Sequence, residues 1–212
     1  MKSGKDWGRL VLTYNLSNIC TLTDGRIAVM DLNLNNYIST ENMLPNKEGI
    51  TRSAGLPMIS QTQSYQSNDV LISNIRPYFR KIWLADRNGG CSNDVLVLRA
   101  IDKVYPRYLF YLLSEDKFFD YATATAKGTK MPRGDKNAIM RYEVPDLPIY
   151  EQIEIANTLS VLDARIAVSK TINHHLAVAR SATDNSPDIR RGKSFSRRIT
   201  RVADSCIRLA CC

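Results

Sequence analysis

Val144 to Ile166 reads VPDLPIYEQIEIANTLSVLDARI. Pro145 and Pro148 fix φ and disfavour helix in the residues before them, so a stiff, extended lead runs up to residue 148. Glu151 then falls in the first helical turn, where a carboxylate suits the positive end of the dipole. From there Ile155, Leu159, Leu162 and Ile166 recur at spacings of 4, 3 and 4. That is the narrow seam of a coiled coil rather than the wide apolar face of a helix lying on its own globule. A lone helix of this type needs a partner strand to bury its seam. The same four residues also suit an ordinary helix packed on its own domain, and both readings stand at this point.

The seam does not last. Its continuation is Ser169, Asn173, Leu176 and Arg180. Asn at a seam position can fix register, whereas Arg there is a poor core residue. Beyond Thr183 the chain turns to Ser, Arg, Asp and Cys with no apolar period. Residues 183–212 are expected to be disordered, or out-of-frame sequence after a truncation.

Upstream of the prolines lies a basic loop, KGTKMPRGDK from Lys127 to Lys136, with four cations and two glycines in ten residues. Glycine lets backbone N–H groups approach an oxyanion, while Lys127, Lys130 and Arg133 add charge and Thr129 a hydroxyl. That combination suits DNA phosphates, which supply affinity without sequence information. A solvated charged loop fits the composition equally.

Further upstream, Asp69 to Ala85 (DVLISNIRPYFRKIWLA) is a β signal, with Val70, Leu71, Ile72, Ile75, Ile82 and Trp83 as strand formers. Pro77 cannot donate to a ladder and marks a bend or an edge between two strand pieces. Asn74, Arg76, Tyr78, Arg80 and Lys81 alternate with apolar neighbours, so a strand there would carry one polar and one core face. Asn and Arg offer bidentate hydrogen bonds to adenine and guanine edges, and Tyr bonds phosphate or stacks on a base. The plain alternative is a solvated sheet face, with Arg76 paired to a nearby acid.

The remaining elements follow from local chemistry. Asn88-Gly89-Gly90 is a turn, and Asn93 to Arg99 (NDVLVLR) reads as a central strand. Pro106 opens a helix carrying Tyr108, Leu109, Leu112 and Leu113. Ser114 is expected to cap a second helix with Phe118, Phe119 and Tyr121, and Gly128 to end that region. Residues 7–68 read as strands and loops, with a turn at Asp24-Gly25 and a long Asn-rich irregular stretch after Asp31. Within it Ser39, Thr40 and Asn42 would reach bases or close a turn. The fold class is α+β.

Composition narrows the function. The chain has 212 residues, 44% hydrophobic and 24% charged, with a net charge of +8. That describes one or two globular domains and a polyanion partner. Seven basic and three acidic residues from Thr183 onward supply half of that charge, so the main domain is mildly basic. The five cysteines form no CxxC pair and their odd number argues against a disulfide framework. A reducing cytoplasm is the expected location, and no apolar run approaches the roughly 20 residues of a membrane span. There is no Walker loop, no dinucleotide fingerprint and no convincing nuclease constellation. His174 and His175 sit at adjacent helical positions that point in different directions, so they do not share a metal. Absent chemistry favours a binding protein without cofactors over an enzyme.

Three segments in order, DVLISNIRPYFRKIWLA, AKGTKMPRGDKNAI and the P-x-x-P-x-x-EQ-x-x-IA-x-x-L-x-x-LD-x-x-I helix lead, resemble the specificity (S) subunit of type I restriction–modification systems. The resemblance spans roughly Trp7 to Arg180. It implies a β-rich target recognition domain with packed helices over residues 1–147, then a conserved spacer helix, a coiled-coil arm, over 148–182. It implies a non-catalytic subunit that reads one half of a split site in double-stranded DNA. The methyltransferase (M) subunits would dock on it, and the restriction (R) subunit would join through the complex, where adenine methylation and cleavage reside. Asn74, Arg76, Tyr78, Arg80, Lys81, Lys127, Thr129, Lys130 and Arg133 would then face DNA. Such a subunit has two recognition domains and two antiparallel helices, whereas this sequence carries one domain and the start of one helix. Two copies pairing through Ile155, Leu159, Leu162 and Ile166 would restore the symmetry as a homodimer. The alternative is a truncated fragment that folds and assembles but no longer selects sites.

Overall fold

The computed structural model describes residues 13–184. In chain order the elements are β1 (Thr13–Asn15), β2 (Cys20–Leu22), β3 (Arg26–Ala28), β4 (Tyr37–Ile38), β5 (Gln61–Tyr65), β6 (Val70–Ser73), β7 (Ile82–Leu84), β8 (Gly89–Cys91) and β9 (Val95–Ala100). Helices α1 (Pro106–Leu113), α2 (Asp116–Ala124) and α3 (Lys136–Met140) follow, then β10 (Glu143–Pro145) and α4 (Ile149–Asp184). One antiparallel sheet has the order β2-β9-β6-β7 and a second the order β3-β5-β8-β4, with β4 and β8 parallel; β1 and β10 form a separate antiparallel pair. The chain is α+β, as expected.

Strands β6 and β9 explain the layering. Their register pairs Val70 with Leu98, Leu71 with Val97 and Ile72 with Leu96. Successive side chains leave a strand on opposite faces. Val70, Ile72, Leu96 and Leu98 therefore enter one core with Leu109, Leu113, Phe118 and Phe119 of α1 and α2. Leu71, Val95 and Val97 enter a second core with Ile38, Met43, Tyr65 and Cys91 around the other sheet. A strand covered on both faces has no polar side, which is why VLVL runs unbroken in β9. Each such Leu, Ile or Val stabilises the fold by roughly 1.5–3 kcal/mol.

Local expectations hold in part. The turn expected at Asn88-Gly89-Gly90 is not there: Gly89 and Gly90 begin β8, buried between β5 and β4. Pro106 sits at the start of α1 and Pro148 immediately precedes α4. Ser114 does not cap α2: its hydroxyl donates back to the Phe110 carbonyl at 2.7 Å, and Glu115 takes the cap position. Gly128 does not end α2 either, because the helix stops at Ala124 under Thr125; Gly128 instead has φ 99° inside the following loop. At one end of the sheet Arg99 grips the Asp69 carboxylate with two hydrogen bonds of 2.7 Å each, and the Asp69 side chain is only 2% exposed.

The chain divides into two units, one ending at Val161 and the next beginning at Leu162, with the continuous helix α4 contributing to both. In the first unit Gln152 and Ala156, four residues apart on one helical face, are buried. The Gln152 side chain accepts from Tyr105 N–H at 2.9 Å and donates to the Leu147 carbonyl at 2.8 Å. In the second unit every residue from Leu162 to Val178 is exposed. Of the tail expected over 183–212, Thr183 and Asp184 still belong to α4, and the rest lies outside the described residues. No described helix is long and apolar enough to cross a membrane.

Candidate nucleic-acid interface

The alternating segment from Asn74 to Lys81 is not a strand. β6 stops at Ser73, a single 3-10 turn occupies Pro77–Phe79 and β7 starts at Ile82. Arg76 and Arg80 flank the turn with φ 50° and 52°. Left-handed backbone costs a non-glycine residue roughly 1–2 kcal/mol, so the surroundings must impose it. They do: Asn46 N–H donates to the Phe79 carbonyl and Lys47 N–H to the Arg80 carbonyl, both at 2.9 Å. The side chains of 74–81 consequently do not share one sheet face.

The turn meets the basic loop through backbone. Arg76 N–H donates to the Pro132 carbonyl at 2.8 Å, and Gly134 N–H to the Asn74 carbonyl at 3.0 Å. Ile75 and Arg133 thus form an antiparallel bridge. Arg133 in turn bridges Lys127, each N–H donating to the other's carbonyl at 2.9 Å. The two segments, distant in sequence, form one assembly. Gly134 is required there: a Cβ would lie 2.8 Å from Asn74 Oδ1 and 2.9 Å from Ile139 Cδ1.

Charge on this assembly is largely paired. Arg133 reaches Asp94 Oδ1 at 3.0 Å, and Lys127 reaches Asp135 Oδ2 at 2.6 Å. Asp135 also caps α3, accepting from Asn137 and Ala138 N–H. The Lys127 hydrogen bond, then those backbone donors, hold its carboxyl below the ordinary carboxylate range. Arg80 contacts Asp116 at 3.1 Å and Asp120 at 3.6 Å, while Lys47 holds Asp116 at 2.6 Å and lowers its pKa. Lys81 donates to the Thr40 carbonyl at 2.6 Å, and partial burial pulls its pKa down. Such pairs orient long side chains but leave them able to exchange a carboxylate for a phosphate.

Other residues are not so tied. Tyr78, Thr129 and Lys130 are exposed. Asn74 Oδ1 and Arg76 Nε are buried without a hydrogen-bond partner among the described residues. Of the seam, Ile155, Leu162 and Ile166 are exposed and Leu159 is half-buried. Sequence reasoning passes over Asp94 and Asp135, and it gives Gly134 an anion-approach role where the structure shows close packing against Asn74 and Ile139. Asp135 was findable, since Asp immediately before Lys136-Asn137-Ala138 is a helix-cap signal. Asp94 was not, because its role depends on Arg133. Among the described residues no group of His, Cys, Asp and Glu could hold a metal ion.

Residues 13–177 match the type I restriction modification DNA specificity domain. The specificity subunit of the Escherichia coli type I restriction enzyme EcoDI is 27% identical over 127 residues, 59% of this chain and 28% of that protein. The HsdS subunit of Thermoanaerobacter tengcongensis superposes with a TM-score of 0.61 at 18% identity, covering 89% of this chain and 52% of its own. The type I S subunit of M. genitalium gives 0.54 at 19% identity, covering 84% and 45%. The chain therefore spans between about a quarter and a half of the length of these relatives.

Proposed function

The chain belongs to the type I restriction–modification DNA specificity family, and we propose that it is a DNA-recognition subunit reading one half of a split duplex site. Residues 1–147 form the target recognition domain in this reading, and the helix over 148–182 is the spacer arm. The backbone assembly of the 74–76 and 132–134 segments carries the reading, because it gathers the basic loop and the turn on one body. Lys127, Thr129, Lys130 and Arg133 face phosphates; Arg80 and Lys81 hold the turn and add charge. Arg76 and Tyr78 approach bases from the turn, while Asn74, expected to do the same, is buried against Gly134 and shapes the turn instead. The subunit is non-catalytic and uses no cofactor. It docks the methyltransferase subunit, and through it the restriction subunit, while the seam of Ile155, Leu159, Leu162 and Ile166 pairs two copies about a two-fold axis.

Selection from a random duplex pool tests this, with the full chain alone and together with a methyltransferase subunit. The expected result is a split palindromic motif. A single short motif would retain recognition but remove the pairing of copies. No enrichment at physiological salt would overturn the reading. Lys130→Ala is expected to weaken binding uniformly across sequences and to reduce the salt slope by about one.

A further inference from the structure

Ser39, Thr40 and Asn42 close a turn, and Asn42 is its scaffold. Asn42 is buried; its Oδ1 accepts from Ser39 N–H at 2.6 Å, and its amide donates to the Tyr37 and Thr51 carbonyls at 3.1 and 3.0 Å. These bonds fasten residues 37–42 to the segment starting at Thr51. Between them opens a groove of 540 Å³, mostly polar, lined also by Ser92 and Asp94. Two contacts join it to the basic assembly: Lys81 to the Thr40 carbonyl, and Arg133 to Asp94.

One wall residue differs from the cations around it. Lys47, Arg80, Lys127 and Arg133 each hold a carboxylate. Arg52 lines the groove, is exposed, and makes no ion pair or side-chain hydrogen bond among the described residues. The Ser39 and Thr40 hydroxyls share the groove with it. Just past the rim, the side chains of Met58 and Ile59 stand in water. An unengaged guanidinium keeps its planar donor fork free for two parallel hydrogen bonds, the geometry of guanine O6 and N7. Hydroxyls serve either donors or acceptors, and apolar tips suit the thymine methyl.

We propose that this groove reads base edges in duplex DNA and that Arg52 is a specificity-determining residue selecting guanine. The proposal rests on the recognition function above and names a part of the surface that the basic loop and turn do not include. The carboxylate-held cations, with Lys130, set the register on phosphates, while Arg52 chooses.

The test compares wild type, Arg52→Ala and Arg52→Lys by selection from the same random duplex library, with and without a methyltransferase subunit. Affinity for a scrambled duplex is measured alongside. Arg52→Ala is expected to lose its preference at one G·C position by roughly 5- to 150-fold, the range of one bidentate contact. Its affinity for scrambled duplex should stay within about twofold, and Arg52→Lys should restore only part of the preference. A uniform loss over all sequences, as expected for Lys130→Ala, would make Arg52 a phosphate contact and overturn the proposal. An unchanged motif would overturn it too. So would an unchanged DNA motif with lost methyltransferase binding, which would make the groove a protein-docking surface. If wild type itself enriches nothing, the recognition function fails first and takes the proposal with it; a wild-type motif that Arg52→Ala leaves intact sinks the proposal alone. Arg52 is exposed, so the variants should melt as wild type does.

Discussion

Strand β6 and the helix beyond Val161 are both rich in branched apolar residues, and their fates are opposite. Every residue of β6 is buried, with alternate side chains in two different cores. Every residue from Leu162 to Val178 is exposed, including Ile166, Val168, Ile172 and Leu176. Apolar content is therefore no measure of a segment's contribution to the stability of its own chain. What matters is whether neighbouring layers exist to cover it, and exposed apolar stripes at coiled-coil spacing are material for association.

That contrast can be broken or sharpened by experiment. Phe118 is fully buried and meets Phe119 and Tyr142 edge-on. Phe118→Ala should cost about 3–5 kcal/mol of stability, read from the urea midpoint. Arg99→Ala leaves the Asp69 carboxylate buried without a countercharge, held among the described residues only by Gln66 N–H at 2.7 Å. A loss of about 3 kcal/mol is expected, whereas Asp69→Asn should cost less, because Arg99 retains access to water. Gln152→Ala strands Tyr105 N–H and the Leu147 carbonyl where the helix docks. Its expected cost is about 1–2 kcal/mol, and a negligible value would mean that the docked turn of α4 belongs with the exposed helix.

Acid titration should act on the exterior of the body. Asp116 and Asp135 have carboxyls held below the ordinary value of 3.8, chiefly by hydrogen bonds from Lys47 and Lys127. A lowered folded-state pKa stabilises above the unfolded value, so this contribution is full at neutral pH. It disappears as pH falls through 3.8 and below. Lys47→Ala and Lys127→Ala should flatten the loss of thermal stability over that window. Smallest of all is the effect of Leu162→Ala on urea unfolding, under about 0.5 kcal/mol. The same variant should weaken self-association in sedimentation. If it destabilises the body as Phe118→Ala does, the contrast between covered and uncovered apolar segments collapses.

The strands that build the sheet were legible because two-sided burial leaves an unbroken apolar run, as in Val95 to Leu98. Pro148 announced α4 for an equally local reason. Asn74 to Lys81 misled because alternation of polar and apolar residues is the same whether the backbone is extended or turned. Only Pro77 hinted at the break, and nothing in an arginine side chain signals the left-handed backbone of Arg76 and Arg80. The residues proposed for the interface can be picked out by type, but the assembly of the two segments is not readable. It is made by main-chain hydrogen bonds between residues far apart, and main chain carries no letter in the sequence. Arg52 is not readable for the same reason: what sets it apart is an unengaged guanidinium in the wall of a groove, and the groove exists only in the folded arrangement.

The paired hydrogen bonds between Lys127 and Arg133 close a small ring of backbone. Gly128, Thr129, Lys130, Met131 and Pro132 hang from that ring, while Gly134 beneath it has no room for a methyl group. To a protein engineer this is a socket with a replaceable cartridge. Segments exchanged between the two clamp residues would inherit a fixed base, and exchanges that run past Arg133 would have to carry the glycine with them.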